Sequence, residues 1–234
     1  VSAPAVVIES AAPAVAEGPN AFTALGLDAA LVRAVSDLGY TQPTEVQAKV
    51  IPLAMGSGKA DEASIDLMVS SQTGSGKTAA FLLPVLNTLI AQKAIEAAAE
   101  QAEFERQRAK RKNPMQSRNF KAAVPGALVL CPTRELAQQV AQDAIELVKH
   151  CKNLRVANVV GGMPYQLQIA KLQNADLVVA TPGRLLDLQR SLQIKLDKVQ
   201  FLVVDEADRM LDLGFADDLE EVHQMTAQRK QTMM

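Results

Sequence analysis

The chain has 234 residues, which is enough for one large α/β domain or two small ones. Hydrophobic residues make up 48% of it and aromatic residues only 3%, so the core must be mostly aliphatic, as suits buried parallel strands. The formal charge of −2 excludes a globally basic nucleic-acid binder, two cysteines are too few for a disulfide framework, and no apolar run approaches the roughly 20 residues that span a bilayer.

The N-terminal segment, residues 1–20, is rich in Ala, Pro and Val and is expected to form a flexible tail. It lacks the charged region that opens a signal peptide, so we expect a soluble, cytoplasmic protein in which Cys131 and Cys151 are free thiols. Because the chain begins at Val1 rather than Met and ends at Met234, we expect it to be a fragment.

Two amphipathic helices open the regular part of the chain. Asp28 can cap the first, which ends near Gly39, and Thr44 can open the second. Short β-rich apolar runs follow, separated by helical patterns: 67–69, 128–130, 156–160, 177–179 and 201–204. This alternation predicts an α/β fold, in which a parallel β-sheet carries helices on both faces.

Residues 92–126 interrupt the alternation. Their first part is rich in Ala, Glu and Gln and is expected to be helical, the stretch from Arg106 to Lys112 is nearly all basic, and Pro114 ends it. We interpret the segment as an insertion between a helix and the next strand. It is either a solvated helix and loop or an auxiliary basic arm that contacts nucleic-acid phosphate.

The tetrapeptide Gly-Ser-Gly-Lys occurs twice, and the first copy, Gly56–Lys59, lacks the setting of a phosphate-binding loop. It follows a helix rather than a strand. Ala60 then offers no hydroxyl for a metal, and Asp61 and Glu62 would repel phosphate. We interpret this copy as the end of a helix and a loop, with Gly56 as the terminating residue.

The second copy, Gly74–Lys77, lies between a strand and a helix predicted from Ala79 to Ile90. Its glycines let successive backbone N–H groups curl around a phosphate, and the N-terminus of the helix adds its positive end. Lys77 can reach the β- and γ-phosphates, and the Thr78 hydroxyl can ligate Mg²⁺. The strict pattern has Gly six residues before the lysine, where this chain has Ser71, which is small enough for the same turn.

A P-loop also needs a carboxylate from the next strand to hold Mg²⁺, and Asp205 is placed for that role. The apolar run 201–204 predicts a buried strand, and Asp205 follows at its carboxyl end, where ligands bind in open α/β sheets. Asp205 can hold the metal directly or through water, and Glu206 can orient or deprotonate the attacking water. On its own, such an acidic cluster is explained equally well as a capped strand end with solvated side chains. Beside a P-loop it indicates a nucleotide-hydrolysing site.

Residues 205–208 read Asp-Glu-Ala-Asp, which is DEAD in one-letter code. Together with Ser71–Thr78 they resemble the first RecA-like domain of a DEAD-box ATP-dependent RNA helicase. The resemblance implies a RecA-like P-loop NTPase domain over residues 21–234, with ATP and Mg²⁺ as cofactors. It also implies nucleotide contacts along the whole loop: Gln72, Thr73, Gly74, Ser75, Gly76, Lys77 and Thr78.

Residues 39–47, Gly-Tyr-Thr-Gln-Pro-Thr-Glu-Val-Gln, resemble the family's Q motif, and Phe22 lies at the expected upstream distance. The Gln47 amide offers a donor and an acceptor that match adenine, yet Thr44 and Gln47 equally form a capping box at a helix start. The residues alone leave both open. The resemblance implies that Gln47 reads the adenine edge, that Phe22 packs on its ring, and that Gln42 and Thr44 belong to the same site.

Three further segments follow predicted strands, and two of them open helices. They resemble motif Ia, the GG motif and motif Ib, which implies an RNA-backbone path through Pro132, Thr133, Arg134, Gly161, Gly162, Thr181, Pro182, Gly183 and Arg184. Helix N-termini and bare glycine amides bind phosphates without a large net charge. Plain capping explains each helix start singly, but three segments at one sheet edge favour RNA, with Arg134 and Arg184 as the main phosphate contacts.

The last acid of the DEAD sequence, Asp208, is either a helix cap or, as the resemblance implies, a contact of the family's Ser-Ala-Thr motif. That motif and a second RecA-like domain with arginine fingers would follow Met234. The whole protein is then expected to bind single-stranded or duplex RNA, with the second domain in cis and no membrane, in the manner of bacterial members such as the RhlE type. The alternatives are a DNA helicase of the same superfamily and a nucleotide-dependent RNA clamp or scaffold.

Overall fold

Short strands and α-helices alternate along the part of the chain that the structure, a computed structural model, describes: residues 6–7, 20–56, 65–71, 74–107 and 122–234. The helices are α1 Ala29–Asp37, α2 Glu45–Met55, α3 Lys77–Gln107, α4 Arg134–Leu147, α5 Tyr165–Leu172, α6 Pro182–Arg190, α7 Ala207–Asp212 and α8 Ala216–Met225. The strands are β1 Val6–Val7, β2 Val69–Ser70, β3 Ala127–Leu130, β4 Val156–Val159, β5 Leu177–Ala180, β6 Phe201–Val204 and β7 Gln231–Met233. A 3-10 helix, Ala21–Leu25, precedes α1.

The two predicted helix starts are confirmed by their capping bonds. The Asp28 carboxylate accepts a hydrogen bond from the Ala30 N–H at 2.8 Å. Thr44 caps α2, and its hydroxyl accepts from the Gln47 N–H at 3.3 Å. Both caps satisfy backbone donors that a helix start leaves open, which is why the signal could be found locally.

Five strands form one parallel sheet in the order β4-β5-β3-β6-β7. The strand before the P-loop joins it beside β7, since Leu67 forms a parallel bridge with Met233 and its N–H donates to the Thr232 carbonyl at 2.9 Å. β1 pairs with β2 in parallel. We expected the metal-binding carboxylate on the strand next to the P-loop, and this was wrong, because β7 lies between them.

The sheet is buried on both faces, which confirms the predicted α/β class. Residues of β3 alternate between two apolar clusters: Val129 packs with α1 to α4, and Leu128 and Leu130 pack with α5 to α8. Successive strand residues point to opposite faces, so a strand covered on both sides must be apolar throughout. The carboxyl ends of β3, β5 and β6 coincide, because Leu130 pairs with both Ala180 and Val204.

Helix α3 is one continuous helix of 31 residues, longer than the predicted segment from Ala79 to Ile90. Its first half supplies Phe81, Leu83 and Leu86 to the core, whereas residues 94–102 are exposed. No long apolar run stands out in the sequence, yet α3 has the length and mean hydropathy of a membrane span over Lys77–Ala102. The apolar first half of this helix is buried in the core of the protein. Residues 108–121, with most of the basic run, lie outside the described residues.

Candidate functional site

A cleft of about 700 Å³ opens at the carboxyl edge of the sheet. Its walls come from the loop before α2, the loop before α3, one face of α4, and the end of β6 with the start of α7. This volume is typical of a small-molecule site. Eleven of the predicted site residues line it: Gln42, Thr44, Gln47, Gly74, Ser75, Gly76, Lys77, Thr78, Asp205, Glu206 and Asp208.

The loop before α3 has the backbone geometry of a phosphate cradle. Gly74 and Gly76 have φ of +82° and +83°, a left-handed conformation that glycine adopts without strain. Ser71, which stands where the strict pattern has Gly, shares a 2.8 Å hydrogen bond with Ser75. No described residue accepts from the N–H groups of the first turn of α3, at positions 77–79, and donors at a helix start are the groups that bind an anion.

Two predicted contacts of this loop, Gln72 and Thr73, lie outside the described residues. The same holds for residues 57–59 of the first Gly-Ser-Gly-Lys copy. Gly56 itself ends α2 with φ of +67°, as predicted, and does not line the cleft.

Gln47 ties the start of α2 to the phosphate loop. Its Oε1 accepts from the Thr44 N–H at 3.0 Å, which completes the capping box, and its Nε2 donates to the Gly76 carbonyl at 3.2 Å. An amide carries two acceptor sites and two donor hydrogens, so one of each remains. Helix capping and adenine contact are therefore compatible roles of one side chain.

Replacing Gly76 by Ala is expected to destabilise the chain by about 2 kcal/mol or more. An added Cβ would lie 2.5 Å from Gln47 Nε2 and 3.2 Å from Thr44 Oγ1, on a left-handed backbone. Gly74→Ala is the matched control, since its φ is similar but no atom of the described residues lies within 4 Å of the added Cβ, so the cost is about 1 kcal/mol. Urea unfolding of both variants checks this, and equal losses would contradict the role of Gln47.

Lys77 and Thr78 converge with Asp205 in the cleft, although Asp205 follows Thr78 by 127 residues in the chain. Lys77 Nζ is 4.0 Å from Asp205 Oδ1, and the Thr78 hydroxyl donates to Asp205 Oδ2 at 3.4 Å. Asp205 is 4% exposed, and burial raises its pKa, an effect that Lys77 opposes and Glu206 reinforces. A buried carboxylate whose contacts with Lys77 and Thr78 are this long suits a divalent cation.

The fit to Mg²⁺ rests on few protein ligands. In the described part of the chain, no group of three or more His, Cys, Asp or Glu side chains could hold a metal by itself. Thr78 Oγ1 and Asp205 would therefore supply the protein oxygens, directly or through water. Mg²⁺ commonly keeps several waters and shares its shell with substrate phosphates, so two protein groups suffice.

Asp205→Asn is expected to stabilise the ligand-free chain at pH 7, by on the order of 1 kcal/mol. Because the folded state raises the Asp205 pKa, the folded chain binds the proton more tightly, and stability falls as the pH rises above the unfolded value near 3.9. Asparagine can still accept from Thr78 and carries no charge. Thermal unfolding measured at several pH values gives the gain in stability. Asp212→Asn, at the end of the following helix α7, is the control. An Asp205→Asn variant less stable than wild type would contradict the prediction.

Glu206 has a left-handed backbone at the start of α7, with φ of +51° and ψ of +52°. Its side chain makes no capping bond, and its Oε2 accepts from Arg209 Nη1 at 3.1 Å. Left-handed backbone at a non-glycine residue is costly and is concentrated at functional sites. Because Glu206 takes the cap position, the interpretation of Asp208 as a helix cap was wrong; Asp208 lies in the first turn and lines the cleft.

Phe22 does not line the cleft, contrary to what the resemblance implied. It is 1% exposed and belongs to the core beneath α1 to α4, because the Asn20-capped 3-10 helix turns its ring inward. Tyr40 is the aromatic residue that lines the cleft, and it is 54% exposed. The sequence offered a signal for this role, because Tyr40 is an aromatic residue within the loop that precedes α2, between Gly39 and the polar residues Thr41 and Gln42.

Other lining residues had no distinct sequence signal. Leu136, Gln139 and Asp143 share one face of α4, and Arg209 follows the acids on α7. Partial burial raises the pKa of Asp143. Helical spacing alone does not tell which side of a helix borders a cleft.

The segments predicted to bind RNA meet at the same sheet edge, after the neighbouring strands β3, β5 and β4. Arg134 Nη1 donates to the Gly161 carbonyl at 3.3 Å, which joins two of the segments. The Thr133 hydroxyl caps α4, whereas Thr181 begins α6 without a side-chain cap. The Arg184 guanidinium lies 5.8 Å from the ring centroid of Tyr165.

The starts of these segments present backbone donors rather than side-chain charge alone. Pro182 occupies the first position of α6, as predicted, where its missing N–H costs nothing. In the part of the chain that the structure describes, no group accepts from the N–H of Gly161, Gly162, Gly183 or Arg184. Such open amides fit phosphate oxygens.

Comparison with curated families and proteins gives one consistent match. A family model described as DEAD/DEAH box helicase matches residues 44–234. The chain is 40% identical over 214 residues to the ATP-dependent RNA helicase SrmB of Escherichia coli, covering 91% of this chain and 41% of that protein. It is 42% identical over 220 residues to DEAD-box ATP-dependent RNA helicase 52A of Oryza sativa subsp. japonica, covering 92% and 33%. The chain thus spans less than half the length of these relatives.

Solved structures give the same picture of the fold. A hypothetical ATP-dependent RNA helicase from Sulfolobus tokodaii is 35% identical with a TM-score of 0.68, over 88% of this chain and 50% of that one. The RNA helicase Prp28 from Chaetomium thermophilum, solved bound to ADP, is 34% identical with a TM-score of 0.68, over 90% and 43%. The similarity confirms the RecA-like domain predicted from the sequence.

Proposed function

The chain belongs to the DEAD/DEAH box helicase family, and from this we propose that it is the ATP-binding RecA-like domain of an ATP-dependent RNA helicase. The observation that carries the proposal is the convergence of Lys77, Thr78 and Asp205 in one cleft, beside the open amides of α3. In the whole protein, we propose, ATP hydrolysis drives local parting of an RNA duplex.

The phosphate end of the nucleotide is assigned to the loop before α3. Backbone N–H groups and Lys77 would bind the phosphate oxygens, and Thr78 and Asp205 would hold Mg²⁺, which neutralises the charge that develops on the transferred phosphoryl group. Glu206, the residue directly after Asp205, lies at the cleft wall and would orient the attacking water and accept its proton.

The adenine end is assigned to the loop before α2. The Gln47 amide keeps a free donor and a free acceptor after its two internal bonds, which is the pair that an adenine edge requires. Tyr40 offers an exposed ring at the same wall, so we assign base stacking to Tyr40 rather than to the buried Phe22. Gln42 and Thr44 line this wall as well.

The RNA backbone is assigned to the sheet edge formed by the ends of β3, β5 and β4. The open amides of Gly161, Gly162 and Gly183, with Arg134 and Arg184, would bind successive phosphates. Sugar and phosphate contacts position a strand without reading its sequence, so this domain is proposed to bind RNA largely independently of base identity.

A second RecA-like domain in cis is proposed from the length of the relatives. Arginine residues supplied across such a cleft are worth about 10³–10⁵ in rate where they have been measured. We therefore expect the 234-residue chain to bind ATP but to hydrolyse it at least about a thousandfold more slowly than the whole protein.

A coupled phosphate-release assay tests this expectation on the chain and on the whole protein. Matched RNA and DNA oligonucleotides are added as stimulators. Brisk, RNA-stimulated turnover by the chain alone would show that the second domain is not needed. Equal stimulation by DNA would overturn the RNA assignment while leaving the ATP site intact.

A further inference from the structure

Gln168 is a fully buried amide beside the Gly161–Gly162 turn. It lies on α5, is 0% exposed, and donates from Nε2 to the carbonyl of Val160, the residue that precedes the glycines. Its Oε1 has no hydrogen-bond partner within the described residues. A buried acceptor without a partner is costly, so an aliphatic side chain would serve the core better. The use of the amide therefore lies in its bond to Val160.

A second side chain holds the next carbonyl of the same turn. Arg134, at the start of α4, donates to the Gly161 carbonyl at 3.3 Å. Gly162 has φ of +81°, and a Cβ there would overlap the Arg134 guanidinium. Two successive carbonyls are thus held from two helices, while the N–H groups of both glycines lack an acceptor among the described residues.

We propose that Gln168 is a positioning residue for the RNA backbone. By holding the Val160 carbonyl, it fixes the turn in the conformation that offers the Gly161 and Gly162 amides to one phosphate. No described residue lies within 4 Å of where a Cβ of Gly161 would be, so among these residues a phosphate has room to approach. The inference rests on the proposed function, because its ligand is the RNA phosphodiester backbone.

The role of Gln168 differs in kind from that of the arginines. Arg184 adds charge, and its loss should reduce the salt dependence of binding by about one released counterion. Gln168 is neutral and contributes only by holding the backbone of the turn in place through its bond to Val160. Its loss should therefore lower RNA affinity and leave the salt dependence unchanged.

The first test needs no RNA. Amide resonances of Gly161 and Gly162 are compared in the ¹⁵N-labelled chain, in Gln168→Met and in the control Gln173→Met. Gln173 ends α5 and also has a buried side-chain nitrogen without a partner in the described chain, but it makes no bond to the turn. We expect both glycine resonances to move in Gln168→Met and to stay in the control. Unmoved glycine resonances in Gln168→Met would overturn the proposal whatever the RNA result.

A second variant covers the case in which Gln168→Met does not fold. Gln168→Glu keeps the size of the side chain, and its carboxyl can donate to the Val160 carbonyl only when protonated. Burial raises the pKa of such a carboxyl. The glycine resonances of Gln168→Glu should therefore return toward wild-type positions as the pH falls, and a pH-independent spectrum would count against the proposal.

The second test measures affinity for a single-stranded RNA oligonucleotide by fluorescence anisotropy, over a salt series, with the whole protein. Gln168→Met is expected to weaken binding about 5–10-fold, the worth of one hydrogen bond, with an unchanged salt slope. Arg184→Gln should weaken binding and lower the slope by about one. If Gln168→Met shifted the glycine resonances but bound RNA with wild-type affinity, the turn would not contribute to RNA binding, and the proposal would be overturned. A wild-type protein without RNA affinity would instead overturn the proposed function.

Discussion

Lys77→Ala is expected to weaken ATP binding by about 100-fold or more. The ammonium group lies in the cleft, 4.0 Å from a carboxylate that is 4% exposed. Its loss would remove charge-assisted bonds to the phosphates, each worth about 1.5–3 kcal/mol, and would leave Asp205 buried without its nearest cation. Because Lys77 opposes the rise in the Asp205 pKa, that pKa should rise further in the variant.

Titration of a fluorescent ATP analogue with Mg²⁺ measures the Lys77 effect. Lys93→Ala is the matched control, since Lys93 lies on the same helix α3 and pairs with Asp176 at 2.8 Å, away from the cleft. The control should lose some stability and keep its nucleotide affinity. Circular dichroism melts show whether each variant is folded. If Lys77→Ala bound ATP within about threefold of wild type, the phosphate assignment would fall.

Glu206→Gln, in the whole protein, is expected to reduce ATP turnover by about 10²–10⁴ while ATP-dependent RNA binding persists. Glutamine has the size of glutamate and can still accept from Arg209, so the start of α7 is kept. It lacks the basicity that proton transfer from the attacking water requires. The reaction should therefore stop after assembly of the ATP and RNA complex.

Single-turnover phosphate release and RNA anisotropy, measured on the same samples, check the Glu206 effect. Glu221→Gln is the control, because Glu221 also pairs with an arginine, Arg190 at 2.7 Å, but lies outside the cleft. Retained turnover in Glu206→Gln would remove Glu206 from the chemistry. Loss of RNA binding together with turnover would indicate a structural role. If the protein were only an RNA clamp, the wild-type protein would bind RNA but release no phosphate from ATP.

Local signals carried most of the sequence predictions that the structure confirms. Asp28 and Thr44 cap helices through bonds that span two or three residues, and the apolar runs of β3, β5 and β6 reflect burial on both faces. The left-handed glycines of the phosphate loop belong to the same class, because backbone conformation at glycine is decided within a few residues.

Tertiary contacts decided the features that the sequence predictions missed or placed wrongly. β7 contains Gln231 and Thr232 and has no apolar run, yet it lies between the P-loop strand and β6 because its backbone bonds to both. Phe22 and Tyr40 are both aromatic residues that precede α2 in the chain, and packing places the first in the core and the second in the cleft.

The order of residues is enough to predict the chemistry: which side chains can hold a phosphate, a metal and a proton, and which strand end or helix start carries each. The tertiary structure decided which of these meet, from the 4.0 Å between Lys77 and Asp205 to the bonds of Gln47 and Gln168. The reason is physical. Capping, turn and burial preferences act over a few residues, whereas the order of strands in a parallel sheet is set by packing between segments far apart in the chain.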